Sequence, residues 1–125
     1  MAQSYVTPEE ADEVRVTTVV DGVMDVLMAG TDVAERYLLG PKWLPVIGSN
    51  PNPLGNMHLV AGHGFSALIK VNRGGATSTV LFDTGVSQSG LLNNLDALEI
   101  KAPDLQAIIL SHGHADHSVG LPGLV

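Results

Sequence analysis

The sequence predicts an α/β (α+β) fold in which a mixed sheet is flanked by helices. Three segments have the β-branched or alternating apolar pattern of strands, at residues 14 to 20, 65 to 71 and 78 to 85. A segment with leucines three and four residues apart follows the third of them, and the short apolar stretch QAIIL comes next. A hairpin followed by a helix and one more strand is typical of such a sheet.

The composition is that of one globular domain. Apolar residues make up 45% of the 125 residues, which is enough for one core. The formal net charge is −7 and basic residues do not cluster, which argues against nucleic acid and anionic membrane surfaces as partners. The chain has no cysteine, so a bound metal would need nitrogen and oxygen ligands. Because the polar N-terminus lacks the features of a signal peptide, we expect a cytoplasmic protein.

The first half of the chain contains one clear strand and one long irregular segment. Residues 1 to 13 are predicted to form a flexible acidic leader, and the strand at 14 to 20 follows it. The apolar spacing at 23 to 39 permits a helix, which Gly30 and Thr31 are expected to break. Four prolines and three glycines fall within residues 40 to 56, which predicts a loop that is either a functional lid or a mobile segment. Trp43 in this loop either contacts substrate or, as we favour, anchors the loop to the core.

The second half predicts a hairpin, a helix and a short strand. The turn NRGGAT joins the strands at 65 to 71 and 78 to 85, and consecutive apolar residues in VLF predict that both faces of the second strand are covered. Residues 86 to 100 predict an amphipathic helix with Ser87 or Ser89 as the N-cap. QAIIL, at 106 to 110, is predicted to be a buried strand.

A histidine cluster, LSHGHADHSVGL, begins at the C-terminal end of that last strand, where ligand sites of α/β sheets collect. In extended backbone, His112 and His114 leave the chain on the same side, so both can bind one ion. A turn at the adjacent Asp116 and His117 would direct them to a second ion. Imidazole and carboxylate suit zinc, and iron or manganese are alternatives.

These residues carry a family resemblance. SHGHADH resembles the His-x-His-x-Asp-His signature of the metallo-β-lactamase fold superfamily, and VLFDTG resembles the strand and turn that precede the site there. The stretch from GHGFSALI to SHGHADHSVGL is most similar to the branch of dihydropterin-ribofuranosylaminobenzene-phosphate synthase-like metal-dependent hydrolases. The resemblance covers residues 14 to 125 and implies the N-terminal half of an αββα sandwich.

The resemblance implies a site with two zinc ions. His112 and His114 would bind the first metal, and Asp116 and His117 the second. A metal-bound hydroxide would attack an ester, amide, lactone or phosphoester bond of a small-molecule substrate. Asp116 would be the catalytic residue that orients or deprotonates the water.

Two further residues match the pattern of the family. Asp83 is implied to hydrogen-bond a ligand histidine and fix its orientation, a role compatible with organising the Asp-Thr-Gly turn. His63, in GHGFS, either reaches the substrate pocket or is a loop residue held by the flanking glycines, and the second reading is preferred.

The chain also departs from the family, whose sandwich has two similar halves and whose remaining metal ligands come from the second. We therefore expect a truncated half-domain that is inactive by itself. A second chain, or self-association, could supply the missing half. The alternative is a non-catalytic fragment or interaction module that pairs through its uncovered sheet.

Overall fold

A computed structural model describes residues 7 to 22, 31 to 32 and 59 to 125. Several predictions fall outside these residues and stay predictions. They are the N-terminal part of the leader, the helix at 23 to 39 apart from two positions, the loop at 40 to 56 and the role of Trp43.

The described residues form one four-stranded mixed sheet whose strands lie side by side in chain order. The strands are β1 (Glu13–Val20), β2 (Ser66–Arg73), β3 (Ala76–Phe82) and β4 (Ala107–Ile109). The pairs β1–β2 and β2–β3 are antiparallel, whereas β3 and β4 are parallel. The predicted mixed sheet with flanking helices is therefore confirmed.

The hairpin between β2 and β3 turns through Gly74 and Gly75. Both have positive φ, +54° and +81°, as a tight two-residue hairpin turn requires at its central positions. Glycine adopts this backbone without the steric cost that a Cβ atom brings. The turn predicted from NRGGAT is confirmed.

Helix α1 (Gln88–Ala97) covers one face of the sheet. It begins after Ser87, whose hydroxyl accepts a hydrogen bond from the Gly90 N–H at 3.1 Å, so Ser87 is the N-cap of the two candidates. Three of the leucines at the predicted spacing pack against Leu68 of β2 and Leu81 of β3, whereas the fourth, Leu92, is 41% exposed. This core consists of Val19, Val20, Leu68, Leu81, Leu91, Leu95 and Leu98.

A buried amide connects α1 to the chain on either side of the gap in the described residues. Asn94 is 2% exposed, and its Nδ2 donates to the backbone oxygens of Val19 and Val60 at 2.7 and 2.9 Å. Its Oδ1 accepts from the Val60 N–H at 2.8 Å. Three backbone groups away from the sheet ladder are thereby satisfied.

The opposite face of the sheet is apolar and accessible in the part of the chain that the structure describes. Two sequence predictions were therefore wrong. Leu81 is fully buried but its neighbours Val80 and Phe82 are only partly so, and Ile109 in the predicted buried strand is 48% exposed. Among the residues that the structure describes, helix α1 packs only against the Leu81 face, and β4 is at the edge of the sheet. Val16 on the same open face is 62% exposed.

The end of the predicted leader contacts the β2–β3 hairpin. Asp12 donates its backbone N–H to the Asn72 carbonyl at 2.9 Å, and its carboxylate accepts from the Gly74 N–H at 2.7 Å. Arg73 also forms an ion pair with Glu9. Among the described residues, no helix has the length and apolar character needed to cross a membrane.

Candidate metal centre

The parallel pairing of β3 with β4 brings two polar residues to the same edge of the sheet. Phe82 pairs with Ile109, so Asp83, one residue after β3, and Ser111, two residues after β4, emerge together at the carboxyl ends of the two strands. The Asp83 N–H donates to the Ile109 carbonyl at 2.8 Å, which extends the ladder by one bond. The Ser111 N–H donates to Asp83 Oδ1 at 2.7 Å.

Asp83 is the buried centre of this edge, with 1% of its side chain exposed. Its Oδ2 accepts hydrogen bonds from the Ser111 hydroxyl and from His117 Nδ1, both at 2.7 Å. Burial by itself would raise the pKa of Asp83, but the hydrogen bonds from Ser111 and His117 outweigh it, so the pKa lies below the ordinary carboxyl value. Asp83 is therefore an ionised acceptor at neutral pH. Its φ of +55° is a left-handed conformation that aspartate tolerates better than most residues.

A single-turn helix, α2 (Ala115–Ser118), presents the acidic and basic members of the cluster. It is held from the side of β3, because the Thr84 N–H and hydroxyl donate to the His117 carbonyl at 2.8 and 3.0 Å. The loop before β2 also packs closely against α2. A Cβ atom added to Gly64, whose φ is +95°, would lie 1.7 Å from the backbone oxygen of Asp116.

His112, Asp116 and His117 form a group whose ligand atoms all lie within 4.8 Å of one another. His117 Nε2 is 3.5 Å from Asp116 Oδ2. Two donors on one tetrahedral zinc are separated by about 3.4 Å, since each lies about 2.0–2.1 Å from the ion. The spacing of this pair therefore already suits one metal ion. His114 is outside the group, although its ring centroid is 4.6 Å from that of His112.

His63 approaches the same carboxylate from the loop before β2. Its Nε2 lies 3.7 Å from Asp116 Oδ2, and its side chain is 84% exposed. His63 also lines a cleft of about 210 Å³ between this loop and the start of α1, together with Val60, Val86 and Ser87. The structure thus places His63 beside both the cluster and a cleft, while Gly64 next to it fixes the loop against α2.

Two residues that support the site had no role in the sequence predictions. Ser111 and Thr84 each stand next to a residue that was singled out, yet neither was assigned a function. Their position directly after the parallel strands was the available signal, because side chains there converge on one edge. The Thr84 contact depends on how α2 packs, which no local pattern encodes.

Comparison with known proteins agrees with this architecture. The family model described as the metallo-beta-lactamase superfamily matches residues 59 to 125. A 7,8-dihydropterin-6-methyl-4-(beta-D-ribofuranosyl)-aminobenzene-5'-phosphate synthase of Methanocaldococcus jannaschii is 41% identical over 63 residues, 50% of this chain and 21% of the synthase. A second protein of that organism, described as uncharacterized, is 44% identical over 61 residues, 49% of this chain and 22% of its own length.

The chain therefore spans about a fifth of the length of the relatives it matches. The matched region contains β2, β3, α1, β4 and the whole histidine cluster, and it is shorter than the predicted 14 to 125 only by the part that precedes residue 59. The fold, the motif and the family match agree, and the chain belongs to the metallo-beta-lactamase superfamily.

Proposed function

We propose that this chain carries part of the active site of a metal-dependent hydrolase, and that His112, Asp116 and His117 hold the metal. The grouping of these three donors within 4.8 Å is the observation that supports the proposal most strongly. Two imidazoles and one carboxylate are a donor set that catalytic zinc sites use, with a further position left for water or substrate. Their partial exposure leaves such a position accessible.

Zinc is the metal that we propose, with iron or manganese as alternatives that the same donors would accept. The chain has no cysteine, so sulfur ligands do not enter. We propose His114 as a further metal ligand, because its ring centroid lies 4.6 Å from that of His112. We also propose a cytoplasmic location, with which a chain without cysteine is in keeping.

The residues of the chain have separable roles in this proposal. Bound zinc would lower the pKa of a coordinated water to about 7 and polarise the bond under attack. Asp83 holds the His117 ring by its Nδ1–H and so directs Nε2 toward Asp116. The Asp116 carboxylate, of which 31% is exposed, can orient a water molecule and accept its proton.

The cleft beside His63 is the place that we propose for part of a small-molecule substrate. Its volume of about 210 Å³ is below the roughly 300–1,000 Å³ of sites that enclose a whole ligand. It would therefore take one substituent, while the bond to be broken lies near Asp116. Ester, amide, lactone and phosphoester bonds are the candidates. A synthase reaction like that in the name of the 41% identical relative is a second candidate.

Turnover of model substrates tests this proposal. Protein loaded with zinc, iron or manganese would be assayed for hydrolysis of aryl esters, lactones and aryl phosphoesters. A second assay would test for formation of the compound after which the 41% identical synthase is named. With the missing half supplied by self-association or by a second chain, we expect hydrolysis of one bond class, with a loss of at least about 100-fold in Asp116→Asn that metal content does not explain. Asp104→Asn, at an exposed position before the N-terminal end of β4 and so away from the cluster at its C-terminal end, is the matched control. Equal turnover in Asp116→Asn and the unaltered protein would overturn the assignment.

The open face of the sheet favours a second function, a non-catalytic interaction module. Val14 and Val16 are 57% and 62% exposed there, next to Val71 and Ile69 of β2. We propose that a second copy of the chain, or a different chain, covers this face. Sedimentation of the unaltered protein and of Val16→Glu tests it: a dimer that the glutamate dissociates supports the proposal, and a stable monomer in both contradicts it.

A further inference from the structure

The hydroxyl of Ser111 lies between the buried carboxylate and one of the cluster histidines. Its Oγ is 2.7 Å from Asp83 Oδ2 and 2.9 Å from His112 Nδ1. The Ser111 N–H donates to the other oxygen of the same carboxylate, at 2.7 Å, which fixes the backbone from which the hydroxyl extends. One side chain therefore connects the acceptor that holds His117 to the ring of His112.

Counting hydrogens determines the direction of these bonds. A serine hydroxyl has one hydrogen to donate, and an ionised carboxylate can only accept. At 2.7 Å from Asp83 Oδ2, the Ser111 hydrogen must point to Asp83, since two oxygen lone pairs would otherwise face each other. The contact with His112 then needs a hydrogen from the ring, so His112 carries its hydrogen on Nδ1.

The same reasoning applies to His117. Its Nδ1 lies 2.7 Å from Asp83 Oδ2, which can only accept, so His117 Nδ1 also carries the hydrogen. In the neutral imidazole the hydrogen sits on one nitrogen and the other keeps its lone pair. Both rings therefore present Nε2 as the free ligand atom, and one carboxylate determines this for both.

We propose that Ser111 is a positioning residue that holds His112 in the Nδ1–H tautomer and so leaves Nε2 as its metal-binding atom. The proposal deepens the metal site proposed above. Ser111 acts as a relay: Asp83 orients the hydroxyl, and the hydroxyl orients the imidazole. Replacement of Ser111 by alanine keeps the N–H bond to Asp83 but removes the relay. Replacement by threonine keeps the hydroxyl.

Nitrogen NMR of the metal-free protein tests the tautomer directly. Long-range proton–nitrogen spectra at about pH 8, above the ordinary histidine pKa of about 6.5, distinguish a protonated from a bare ring nitrogen. We expect protonated Nδ1 and bare Nε2 for His112 in the unaltered protein and in Ser111→Thr. In Ser111→Ala we expect His112 to lose this preference while His117 keeps it. Ser118→Ala, which removes a hydroxyl bonded to the His114 carbonyl, should change neither ring.

Zinc affinity, measured by competition with a chromophoric chelator, is the second readout. Loss of a group that orients a metal-bound histidine lowers affinity about 10- to 100-fold, and we expect that loss in Ser111→Ala with recovery in Ser111→Thr. Backbone amide spectra show whether each variant is folded. If Ser111→Ala does not fold, the tautomers of the unaltered protein and of Ser111→Thr still decide the question.

The tautomer is read without metal, so it separates this proposal from the metal site on which it rests. A protein that binds no zinc but has bare His112 Nε2 would remove the metal site and keep the role of Ser111 in setting the ring. A His112 ring that is protonated at Nε2 in the unaltered protein would overturn the proposal. So would a Ser111→Ala variant with an unchanged tautomer.

Discussion

Replacing Asp83 with asparagine should destabilise the protein and weaken its metal site together. The Asp83 carboxylate accepts three hydrogen bonds, from the Ser111 N–H, the Ser111 hydroxyl and His117 Nδ1, and only 1% of it is exposed. Asparagine has nearly the same shape and tolerates the φ of +55° as well as aspartate does. The substitution therefore changes the chemistry of one oxygen and leaves the backbone unstrained.

Either orientation of the new amide leaves at least one donor facing another donor. With NH₂ in the Oδ2 position, His117 can no longer donate from Nδ1. With NH₂ in the Oδ1 position, the Ser111 N–H loses its acceptor. A hydrogen bond to a charged group contributes about 1.5–3 kcal/mol, so we expect the free energy of unfolding to fall by about that amount. Metal affinity should fall about 10- to 100-fold, because in either orientation His117 loses the charged carboxylate that orients its ring.

Urea unfolding and chelator competition measure the two effects. Asp96→Asn, an exposed position on α1, is the matched control and should change the free energy of unfolding by less than about 0.5 kcal/mol. An Asp83→Asn variant with the stability and zinc affinity of the unaltered protein would refute the reasoning about the buried carboxylate.

Three further predictions concern stability. Because the pKa of Asp83 is lower in the folded state, Asp83 stabilises the fold above its unfolded pKa of about 3.9, and this stabilisation is lost as pH falls through the folded pKa. The free energy of unfolding, measured from pH 7 to pH 2, should therefore show a decline that Asp83→Asn lacks. Gly64→Ala should lower the free energy of unfolding by about 2–4 kcal/mol, because of its positive φ and the clash of the new Cβ atom with Asp116. Gly74→Ala, at positive φ in open space, should lower it by about 1 kcal/mol. Equal decreases in the unfolding temperatures of the two variants would contradict the clash. Asn94→Ala should lower the free energy of unfolding by about 3 kcal/mol because it orphans three backbone groups, and a loss below about 1 kcal/mol would contradict that accounting.

Much of the fold could be predicted because it is encoded locally. The alternation around Gly74 and Gly75 specifies a hairpin, and leucines at spacings of three and four specify a helix that begins at a serine. The position of the histidine cluster after β4 follows from the same local reading. The face of the sheet that α1 covers depends on tertiary packing, which no local pattern specifies. The prediction that β4 is buried was wrong for this reason.

The composition of the candidate site was only partly accessible from the sequence. The approach of His112, Asp116 and His117 to within 4.8 Å of one another depends on the single turn of α2 and on its contact with Thr84. The relay through Ser111 depends on the parallel register that places it beside Asp83. Contacts of this kind join residues about thirty positions apart, so no spacing rule within one segment encodes them.

The central claim is that the cluster binds a metal ion, and the metal content of the chain tests it most directly. Protein of confirmed mass would be dialysed against micromolar zinc, iron or manganese, and the bound metal measured by elemental analysis beside His117→Ala and the control Ser118→Ala. We predict at least one equivalent of metal per chain in the unaltered protein and in Ser118→Ala, and almost none in His117→Ala. A folded protein that retains no metal, or a His117→Ala variant that retains as much as the unaltered protein, would contradict the claim.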